Sequence, residues 1–290
     1  MLNADIHLLQ VLSDGYKPAT NTSLKGDYSE KNNRSAELNM DFVKEQIQKL
    51  LLKGVIEKRD VKPTCVNPLS VSSRYCHETK KLKYRTVVDF SRHLNKQFKE
   101  FKTTLQDFRH ILPRLTNNSF MCSFDLESAY HHIKLHIDFI EYCGFAVIAS
   151  DGSTQYYVFL YLPFGLQPAS FQMNNCTRPI LTYCHDLGVC VSLYLDDEFN
   201  SDSSSDKCFV SYLFIIFIFQ VCGWKINFSK SSQKPTQLLK YLGFFINTQT
   251  MKIYVSESKL TKIKNMISEF LQNPLKPVRC TAFAAMLGYQ

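Results

Sequence analysis

The spacing of apolar and polar residues along this chain predicts a mixture of helices and strands. Ahead of Gly54, apolar residues recur at helical spacing, namely Phe42, Val43, Ile47, Leu50 and Leu51. Further helices are predicted at Glu127–Ile133, Pro168–Leu187, 207–222 and Glu257–Gln272. Short apolar runs bounded by turn residues predict strands at Val66–Val71, Lys83–Phe90, Met121–Leu126, Tyr156–Leu162, Val189–Leu195 and Tyr241–Ile246. Residues 13–36 are rich in Ser, Asn, Lys and Gly and predict an irregular leader.

Two adjacent carboxylates, Asp196 and Asp197, follow the predicted strand in Ser-Leu-Tyr-Leu-Asp-Asp, and Asp125 ends an earlier strand in a similar setting. Close carboxylates repel one another, and a divalent cation removes that conflict. Two such ions about 3.5–4 Å apart can clamp both oxygens of an in-line displacement, as in polymerases. The pattern therefore predicts a nucleotide polymerase. The alternative is a turn pair at Asp196 and Asp197 with Asp125 as a helix cap.

The order of elements around these acids is strand, helix, strand, strand, helix, strand. This order matches a ferredoxin-like split βαβ arrangement, in which the first strand lies beside the central hairpin. We therefore expect an α+β fold in which Asp125 and the Asp196–Asp197 turn converge, although some seventy residues separate them.

Composition and charge indicate a folded protein with a polyanionic partner. The 290 residues are 45% hydrophobic and 13% aromatic, and the formal net charge is +8. Basic residues are concentrated in Arg74–Lys102 and Lys225–Lys276, although solvated lysine-rich faces would give the same pattern. The chain is long enough for two to three subdomains.

Ten irregularly spaced cysteines without a Cys-x-x-Cys pair argue against a zinc site and favour a reducing compartment. No basic segment precedes an apolar stretch at the start, so we expect no secretory signal. The apolar run Phe209–Val221 has 13 residues, fewer than the roughly 20 that span a bilayer. It predicts a buried helix and no membrane partner. The expected location is intracellular, in the cytoplasm, the nucleus or both.

Several short segments, in order along the chain, resemble the motifs of the reverse transcriptases of retroelements. Three resemble fingers motifs: Lys-Gly-Val-Ile-Glu (53–57), Asn-Pro-Leu-Ser-Val (67–71) and Leu-Lys-Tyr-Arg-Thr-Val-Val-Asp-Phe (82–90), the last continuing through Leu94-Asn95. Those resembling palm motifs are Phe-Asp-Leu-Glu-Ser-Ala-Tyr-His-His-Ile (124–133), Leu-Pro-Phe-Gly-Leu-Gln-Pro-Ala-Ser-Phe (162–171), Tyr-Leu-Asp-Asp (194–197), Gly-Trp-Lys-Ile-Asn-Phe-Ser-Lys-Ser (223–231) and Tyr-Leu-Gly-Phe (241–244). Gly15-Tyr16 and the Tyr-His-His-Ile wording favour a DIRS-like or gypsy-like retrotransposon.

The resemblance extends from about Asn39 to the C-terminus and implies a right-hand polymerase with a ferredoxin-like palm, fingers and a short thumb. After the leader at 1–38, it implies fingers at 39–99, the first catalytic strand of the palm at 100–133 and a return to the fingers at 134–160. The rest of the palm follows at 161–247 and the thumb at 248–275. Residues 276–290 would begin a truncated connection segment.

The resemblance also assigns roles to individual residues. Asp125, Asp196 and Asp197, with the backbone carbonyl of Leu126, would hold two Mg²⁺ ions, with Mn²⁺ as the alternative ion. Lys230 matches the lysine that protonates the leaving pyrophosphate, although a solvated lysine is the alternative.

Other residues would bind the nucleotide and the primer. Arg85 would grip the triphosphate with its guanidinium, and the amides of Ser128 and Ala129 would add to phosphate binding at a helix start. The resemblance makes Tyr130 a steric gate against the ribose 2′-hydroxyl, with Phe164 and Gly165 shaping the deoxyribose pocket. The companion lysine of the fingers is not placed; Arg74, Lys80 and Lys81 are the candidates. Tyr241, Leu242, Gly243 and Phe244 would form the primer grip, with the lysines of the 257–272 helix along the phosphates.

The predicted function is RNA-directed DNA synthesis from deoxynucleoside triphosphates on an RNA or DNA template with a primer. No RNase H acids follow, so we expect no template degradation by this segment, although downstream RNase H or recombinase regions of a longer polyprotein are consistent with it. One alternative is an inactive relic that binds nucleic acid, favoured by Glu198 directly after the acids and by the apolar helix. Another is a palm-fold nucleotide cyclase, against which the fingers and primer-grip motifs argue. His131 and His132 are expected to be structural.

Overall fold

The computed structural model describes residues 5–20, 22–76, 81–255 and 257–272. Its helices are α1 (Ile6–Asp14), α2 (Arg34–Glu37), α3 (Met40–Leu52), α4 (Phe108–Ile111), α5 (Ile137–Ile140), α6 (Ala169–Asp186), α7 (Ser205–Val221) and α8 (Glu257–Gln272). Its strands are β1 (Tyr28–Ser29), β2 (Ile56–Arg59), β3 (Cys65–Val66), β4 (Leu69–Cys76), β5 (Lys81–Val88), β6 (Phe120–Cys122), β7 (Gly144–Ile148), β8 (Thr154–Phe159), β9 (Val191–Tyr194), β10 (Asp197–Asp202), β11 (Leu238–Tyr241), β12 (Phe244–Asn247) and β13 (Lys252–Val255).

A three-stranded antiparallel sheet, in the order β6-β10-β9, carries the acidic motifs. The first of these strands lies beside the hairpin of the other two, as the predicted split βαβ order requires. Helices α6 and α7 pack on this sheet and supply buried residues such as Ile180 and Ile215. The main hydrophobic core includes this packing and contains buried residues from Leu8 to Ile226. The α+β fold and its palm arrangement are confirmed.

The predicted fingers region contains a second sheet and a separate hairpin. The sheet has the order β1-β3-β7-β8-β2, so the segment after the first catalytic motif returns to pair with the early strands. The predicted single strand at Val66–Val71 is two strands, because Asn67 and Pro68 separate β3 from β4. Proline cannot donate a ladder hydrogen bond, and this one directs β4 away to pair with β5 alone.

The predicted strand at Tyr241–Ile246 is wrong. Tyr241 pairs with Phe244, so Leu242 and Gly243 form a two-residue hairpin turn between β11 and β12. Both turn residues have positive φ, 46° and 79°, which is the requirement of a tight turn matched to strand twist. Strand β13 then adds to β12, so the predicted thumb at 248–275 starts with a strand before α8.

The leader at 1–38 is not wholly irregular. Helix α1 begins at Asp5, whose carboxylate accepts a hydrogen bond from the amide of Leu8, and it buries Leu8 and Val11. Tyr16 then pairs through its backbone with Lys134 and is almost fully buried. The composition of the segment hid the Tyr16 contact because its partner, Lys134, is distant in sequence, whereas α1 and its cap are local features that the sequence analysis missed.

Helix α7 is apolar on both faces but only half buried. Cys208, Tyr212 and Phe219 pack against the palm, while Phe217 is 59% and Val221 is 67% exposed. The prediction of a buried helix is therefore correct for one face only. Within the described ranges, no helix has both the length and the apolar character needed to cross a membrane. The predicted connection segment at 276–290 lies outside the described residues.

Candidate active site

Backbone hydrogen bonds bring the first acidic motif against the second. The amide of Leu126 donates to the carbonyl of Asp196 at 2.8 Å, and the amide of Glu198 donates to the carbonyl of Phe124 at 2.8 Å. Asp125 and Asp197 consequently face each other in an antiparallel bridge. Residues opposite each other in such a pair have Cα atoms about 4.5–5.5 Å apart. The predicted convergence of these acids is present in the structure.

The acidic turn itself is tight. Tyr194 pairs with Asp197, so Leu195 and Asp196 form the two-residue connection of the β9–β10 hairpin. Leu195 has φ of 56°, a left-handed conformation that costs a non-glycine residue about 1–2 kcal/mol. The surrounding hydrogen bonds hold that conformation and thereby fix where the carboxylate of Asp196 emerges.

The carboxylates of the turn retain protons more strongly than isolated ones. Desolvation, followed by repulsion from Asp196 and Asp125, raises the pKa of Asp197 to about 6. Desolvation and the charge of Asp125 also raise the pKa of Asp196, while Lys230 and Arg85 lower it. The charge of each acid in the turn is therefore affected by the neighbouring acids. A concentration of negative charge that is unfavourable by itself is the electrostatic setting in which cations bind.

Asp125 is held from a different part of the chain. The ammonium of Lys230 lies 3.0 and 3.1 Å from the two carboxylate oxygens, and the side-chain amide of Asn227 donates to the second oxygen at 3.2 Å. The Asp125 side chain is 14% exposed, whereas that of Lys230 is 63% exposed. The sequence resemblance placed Lys230 near the chemistry, but Asn227 had no predicted role.

The donor chemistry fits divalent cations, although the carboxylates are not gathered into a finished ligand set. Carboxylate and carbonyl oxygens are the ligands that Mg²⁺ prefers. In the part of the chain that the structure describes, no three His, Cys, Asp or Glu side chains converge closely enough to hold an ion. The backbone is therefore organised for a shared site, while the side chain of Asp125 is engaged by Lys230.

The predicted nucleotide-pocket residues lie together. The Tyr130 ring is buried and meets the Phe164 ring edge-on, with centroids 4.7 Å apart. The Tyr130 hydroxyl and the Ser170 hydroxyl are 2.9 Å apart and share a hydrogen bond. Asp196 influences the pKa of Tyr130, which desolvation raises, so this cluster adjoins the acids. Ser170 had no predicted role, because a serine within the 162–171 motif carries no distinctive chemical signal.

Gly165 permits a close approach between the pocket loop and β5. Its φ is 94°, and a Cβ there would lie 2.7 Å from the backbone carbonyl oxygen of Val88. Asn95, in the 3-10 turn after β5, holds the same loop, since its amide donates to the Gly165 carbonyl at 3.0 Å and its oxygen accepts from the Gln167 amide at 2.9 Å. Asn95 is thus a positioning residue for which the sequence predicts no role.

The predicted helix at Glu127–Ile133 is only a single 3-10 turn at Ala129–His132. Ser128 precedes it with φ of 52°, a left-handed conformation that prevents a longer helix. Ser128 and Ala129 still stand between Asp125 and Tyr130. So short a turn has little dipole to offer a phosphate, since that dipole sums over aligned peptide units, which removes part of the argument for their role.

Arg85 lies on an exposed strand with several other cations. The β4–β5 register pairs Arg85 with Ser72 and Lys83 with Arg74. Because alternate residues of a strand share a face, Lys81, Lys83 and Arg85 project to the same side. We call this surface the basic face, comprising Arg74, Lys81, Lys83 and Arg85. The charge of Arg85 lowers the pKa of Asp196, so the guanidinium is near enough to the acidic turn to act on it electrostatically. Lys80 lies outside the described residues.

The predicted primer-grip residues surround the hairpin turn after β11. The Tyr241 hydroxyl donates to the carbonyl of Asp197 at 2.9 Å, and the ring is buried against Phe199. Phe108 contacts the rings of both Tyr241 and Phe244 edge-on. Leu242 and Gly243 form the turn itself. The hairpin is therefore attached directly to the acidic turn rather than placed at a distance.

Glu198 does not belong to the acidic site. Successive strand residues point to opposite faces, so Glu198 faces away from Asp197 into the core and is fully buried. Desolvation raises its pKa well above the usual value, which favours the neutral acid. His131 and His132 are largely structural, as expected: His132 accepts from the Lys225 amide at 3.1 Å and packs on Trp224. Burial lowers the pKa of His131 to about 4.

A family model described as reverse transcriptase (RNA-dependent DNA polymerase) matches residues 71–246. Among curated relatives, Protein P of heron hepatitis B virus is 27% identical over 194 residues, covering 64% of this chain and 23% of the relative. The Pol polyprotein from transposon gypsy of Drosophila melanogaster is 27% identical over 220 residues, covering 73% of this chain and 20% of the relative. The chain therefore spans less than a quarter of the length of these relatives.

Solved structures with the same fold come from foamy virus. A foamy viral protease–reverse transcriptase in complex with double-stranded DNA matches with a TM-score of 0.69 at 18% identity, covering 94% of this chain and 44% of that one. Another, in complex with an RNA/DNA hybrid, has a TM-score of 0.67 at 18% identity, covering 94% of this chain and 34% of that one. These likenesses establish the fold. They do not separate DIRS-like from gypsy-like elements.

Proposed function

Because this chain belongs to the reverse transcriptase (RNA-dependent DNA polymerase) family, we propose that it extends a primer 3′ end with deoxynucleotides on an RNA or DNA template. The observation that carries this proposal is the backbone bridge between Asp125 and Asp197 beside Asp196. Acids seventy residues apart have no structural need for one another, since their repulsion is costly. A shared cation explains why the fold joins them.

The family generally uses divalent metal ions, and here Asp125, Asp196, Asp197 and the carbonyl of Leu126 would hold two Mg²⁺. Bound Mg²⁺ would activate the primer hydroxyl and neutralise charge on the leaving pyrophosphate. The chain itself fixes the geometry. The strained Leu195 turn and the Tyr241 hydroxyl bond to Asp197 hold the acids on a rigid hairpin. Such preorganisation is what an in-line displacement requires.

The basic face would bind the triphosphate, with Arg85 aimed at the acids. A guanidinium pairs with phosphate oxygens in a bidentate manner and remains charged at any working pH. The aromatic pair of Tyr130 and Phe164 would close the sugar pocket against a ribose 2′-hydroxyl. Two contacts support this role indirectly. Gly165 lets the pocket loop approach β5, the strand that carries Arg85, and Asn95 joins that loop to the 3-10 turn after β5.

Template and primer would lie across the palm, with their end at the β11–β12 hairpin. Support comes from the attachment of Tyr241 to the acidic turn, since a primer end positioned by that hairpin would be in register with the metals. The foamy viral structures in complex with double-stranded DNA and with an RNA/DNA hybrid support a duplex partner for this fold.

Primer extension tests the proposal directly. The protein is incubated with a labelled DNA primer on an RNA template, the four deoxynucleoside triphosphates and Mg²⁺, and Asp196→Asn is compared with wild type. We expect wild-type extension and at least a hundredfold lower rate in Asp196→Asn, as for loss of a transition-state electrostatic contact. Asp206→Asn is the matched control, because Asp206 is exposed at the start of α7 and away from the turn.

Two results would contradict the proposal. Equal rates for Asp196→Asn and wild type would remove the metal assignment. Tight binding of template–primer with no Mg²⁺-dependent incorporation by the wild-type protein would instead support the inactive relic that binds nucleic acid.

A further inference from the structure

The contact between Lys230 and Asp125 differs from an ordinary surface ion pair. The ammonium is within hydrogen-bond distance of both carboxylate oxygens, at 3.0 and 3.1 Å, and so covers the oxygen edge that a metal ion would use. Asp125 is largely buried while Lys230 is mostly exposed. The lysine therefore reaches inward from solvent to a carboxylate that the fold has already placed.

The segment bearing Lys230 is fastened to the strand of Asp125 along its length. The Asn227 amide donates to the Asp125 carbonyl at 2.8 Å, and the Ser232 amide donates to the Ser123 carbonyl at 2.8 Å. The Ser231 hydroxyl donates to the carbonyl of Asn227 at 2.8 Å, which closes the turn around Lys230. The ammonium is thus presented at Asp125 by a fixed backbone, whereas its own side chain remains free to leave.

From this geometry we infer that Lys230 is a built-in placeholder cation, which occupies Asp125 in the metal-free protein and must be displaced when a divalent ion binds. Asn227 complements Lys230, because its side-chain amide donates to one carboxylate oxygen and would keep Asp125 oriented when the lysine departs. The inference rests on the proposed function, since it assumes that Asp125 is a metal ligand.

The exposure of the two side chains supports this role. Asp125 is 14% exposed and held by Asn227, whereas Lys230 is 63% exposed, so the ammonium can leave for solvent while the carboxylate stays in place. The Lys230 ammonium would become free only after that exchange, and its predicted contact with pyrophosphate would therefore follow metal binding.

The test measures metal affinity without any nucleotide or primer. Purified protein is titrated with Mn²⁺, and free Mn²⁺ is followed by electron paramagnetic resonance. Removing a competing, partly screened charge should tighten binding by about fivefold in Lys230→Gln. Lys230→Arg keeps the cation and should stay within twofold of wild type. The matched control is Lys234→Gln, which loses the same charge at an exposed site four residues away and should change the affinity less than twofold.

Asp125→Asn separates failure of this inference from failure of the proposed function. If Asp125→Asn leaves Mn²⁺ binding unchanged, Asp125 is not a ligand and the proposed metal site is wrong. If Asp125→Asn weakens binding at least tenfold but Lys230→Gln equals Lys234→Gln, the site stands and the placeholder role is overturned. Thermal unfolding midpoints of all four variants verify that each is folded at the titration temperature.

Discussion

At the scale of single residues, three features of the acidic turn are unfavourable: repulsion between its carboxylates, their desolvation and the left-handed backbone of Leu195. Asp197 is the clearest case, because its pKa is raised to about 6 by desolvation and by the charges of Asp196 and Asp125. Leu195 adds backbone strain at φ of 56°. Strain and perturbed pKa values concentrate where a ligand compensates for them. The metal-free protein should therefore be less stable at neutral pH than its core alone would allow.

This leads to a prediction for Asp197→Asn in the absence of divalent metal. Because the folded-state pKa lies above the unfolded value near 3.8, the folded protein keeps its proton longer. Protonated Asp197 favours the folded state, so this contribution to stability is fully present below about pH 4 and is lost as the pH rises through 6. The shift corresponds to at most about 3 kcal/mol, and solvent screening of a half-buried group reduces the expected gain to about 1 kcal/mol. Asp197→Asn should thus raise the free energy of unfolding above pH 7 and leave it unchanged near pH 4.

Urea denaturation at pH 4 and pH 7.5 with a chelator present measures both values. Asp60→Asn serves as the control, since Asp60 is exposed in a loop and should show the same difference at both pH values. A pH-independent effect of Asp197→Asn would mean that the carboxylate is not under electrostatic stress.

Sequence alone predicts the acids that the structure brings together, but not the residues that hold them. Asp125, Asp196 and Asp197 could be predicted because an acid pair after an apolar strand has few structural explanations. Asn227, Ser170 and Asn95 could not, because amides and hydroxyls are common and only the fold shows which ones reach a functional group. Lys230 was placed by resemblance, yet its contact with both oxygens of Asp125 is visible only in the structure.

At the scale of secondary structure, the sequence predicts the strands of the β6-β10-β9 sheet and the turn at Asp196–Asp197. It does not predict β2, β7 and β13 or the turn at Leu242 and Gly243. The Tyr241–Ile246 run is apolar throughout, and periodicity cannot mark where such a run reverses. Gly243 was the available signal, because a glycine within an apparent strand often marks a turn or bulge. The same limit applies to the β3–β4 break, where Pro68 was the signal.

The junction between the pocket loop and β5 yields a prediction at this scale. In Gly165→Ala, the new methyl group would meet the Val88 carbonyl at 2.7 Å and the residue would have to keep φ of 94°. We expect a loss of about 2–3 kcal/mol in unfolding free energy. Gly188→Ala is the matched control, because Gly188 has φ of 76° but no atom within 4 Å of its Cβ position. It should lose only about 1 kcal/mol, the cost of the left-handed conformation. Equal losses in urea denaturation would show that the loop does not approach Val88 closely.

At the scale of the whole molecule, the net charge of +8 matters through its placement. Surface charge that is evenly scattered attracts a polyanion weakly, whereas charge on one face directs it to a site. The basic face on β4–β5 is exposed, belongs to a two-stranded ribbon that pairs with no other strand among the described residues, and adjoins the acids through Arg85. The β4–β5 ribbon therefore carries several cations on one face, and one of them, Arg85, acts on the acidic turn.

Salt dependence of nucleic-acid binding tests this arrangement. Each lysine–phosphate pairing that a substitution removes should reduce the slope of log affinity against log salt by about 0.9 on duplex and 0.7 on single strands. The double variant Lys81→Gln/Lys83→Gln should therefore bind template–primer more weakly and reduce the slope by about 1.4–1.8. Lys58→Gln/Lys207→Gln removes the same net charge from exposed sites on β2 and α7 and should leave the slope within about 0.5 of wild type. Fluorescence anisotropy from 50 to 300 mM KCl gives both slopes. If the two double variants reduce the slope equally, attraction depends on total charge alone and the basic face is not a binding surface.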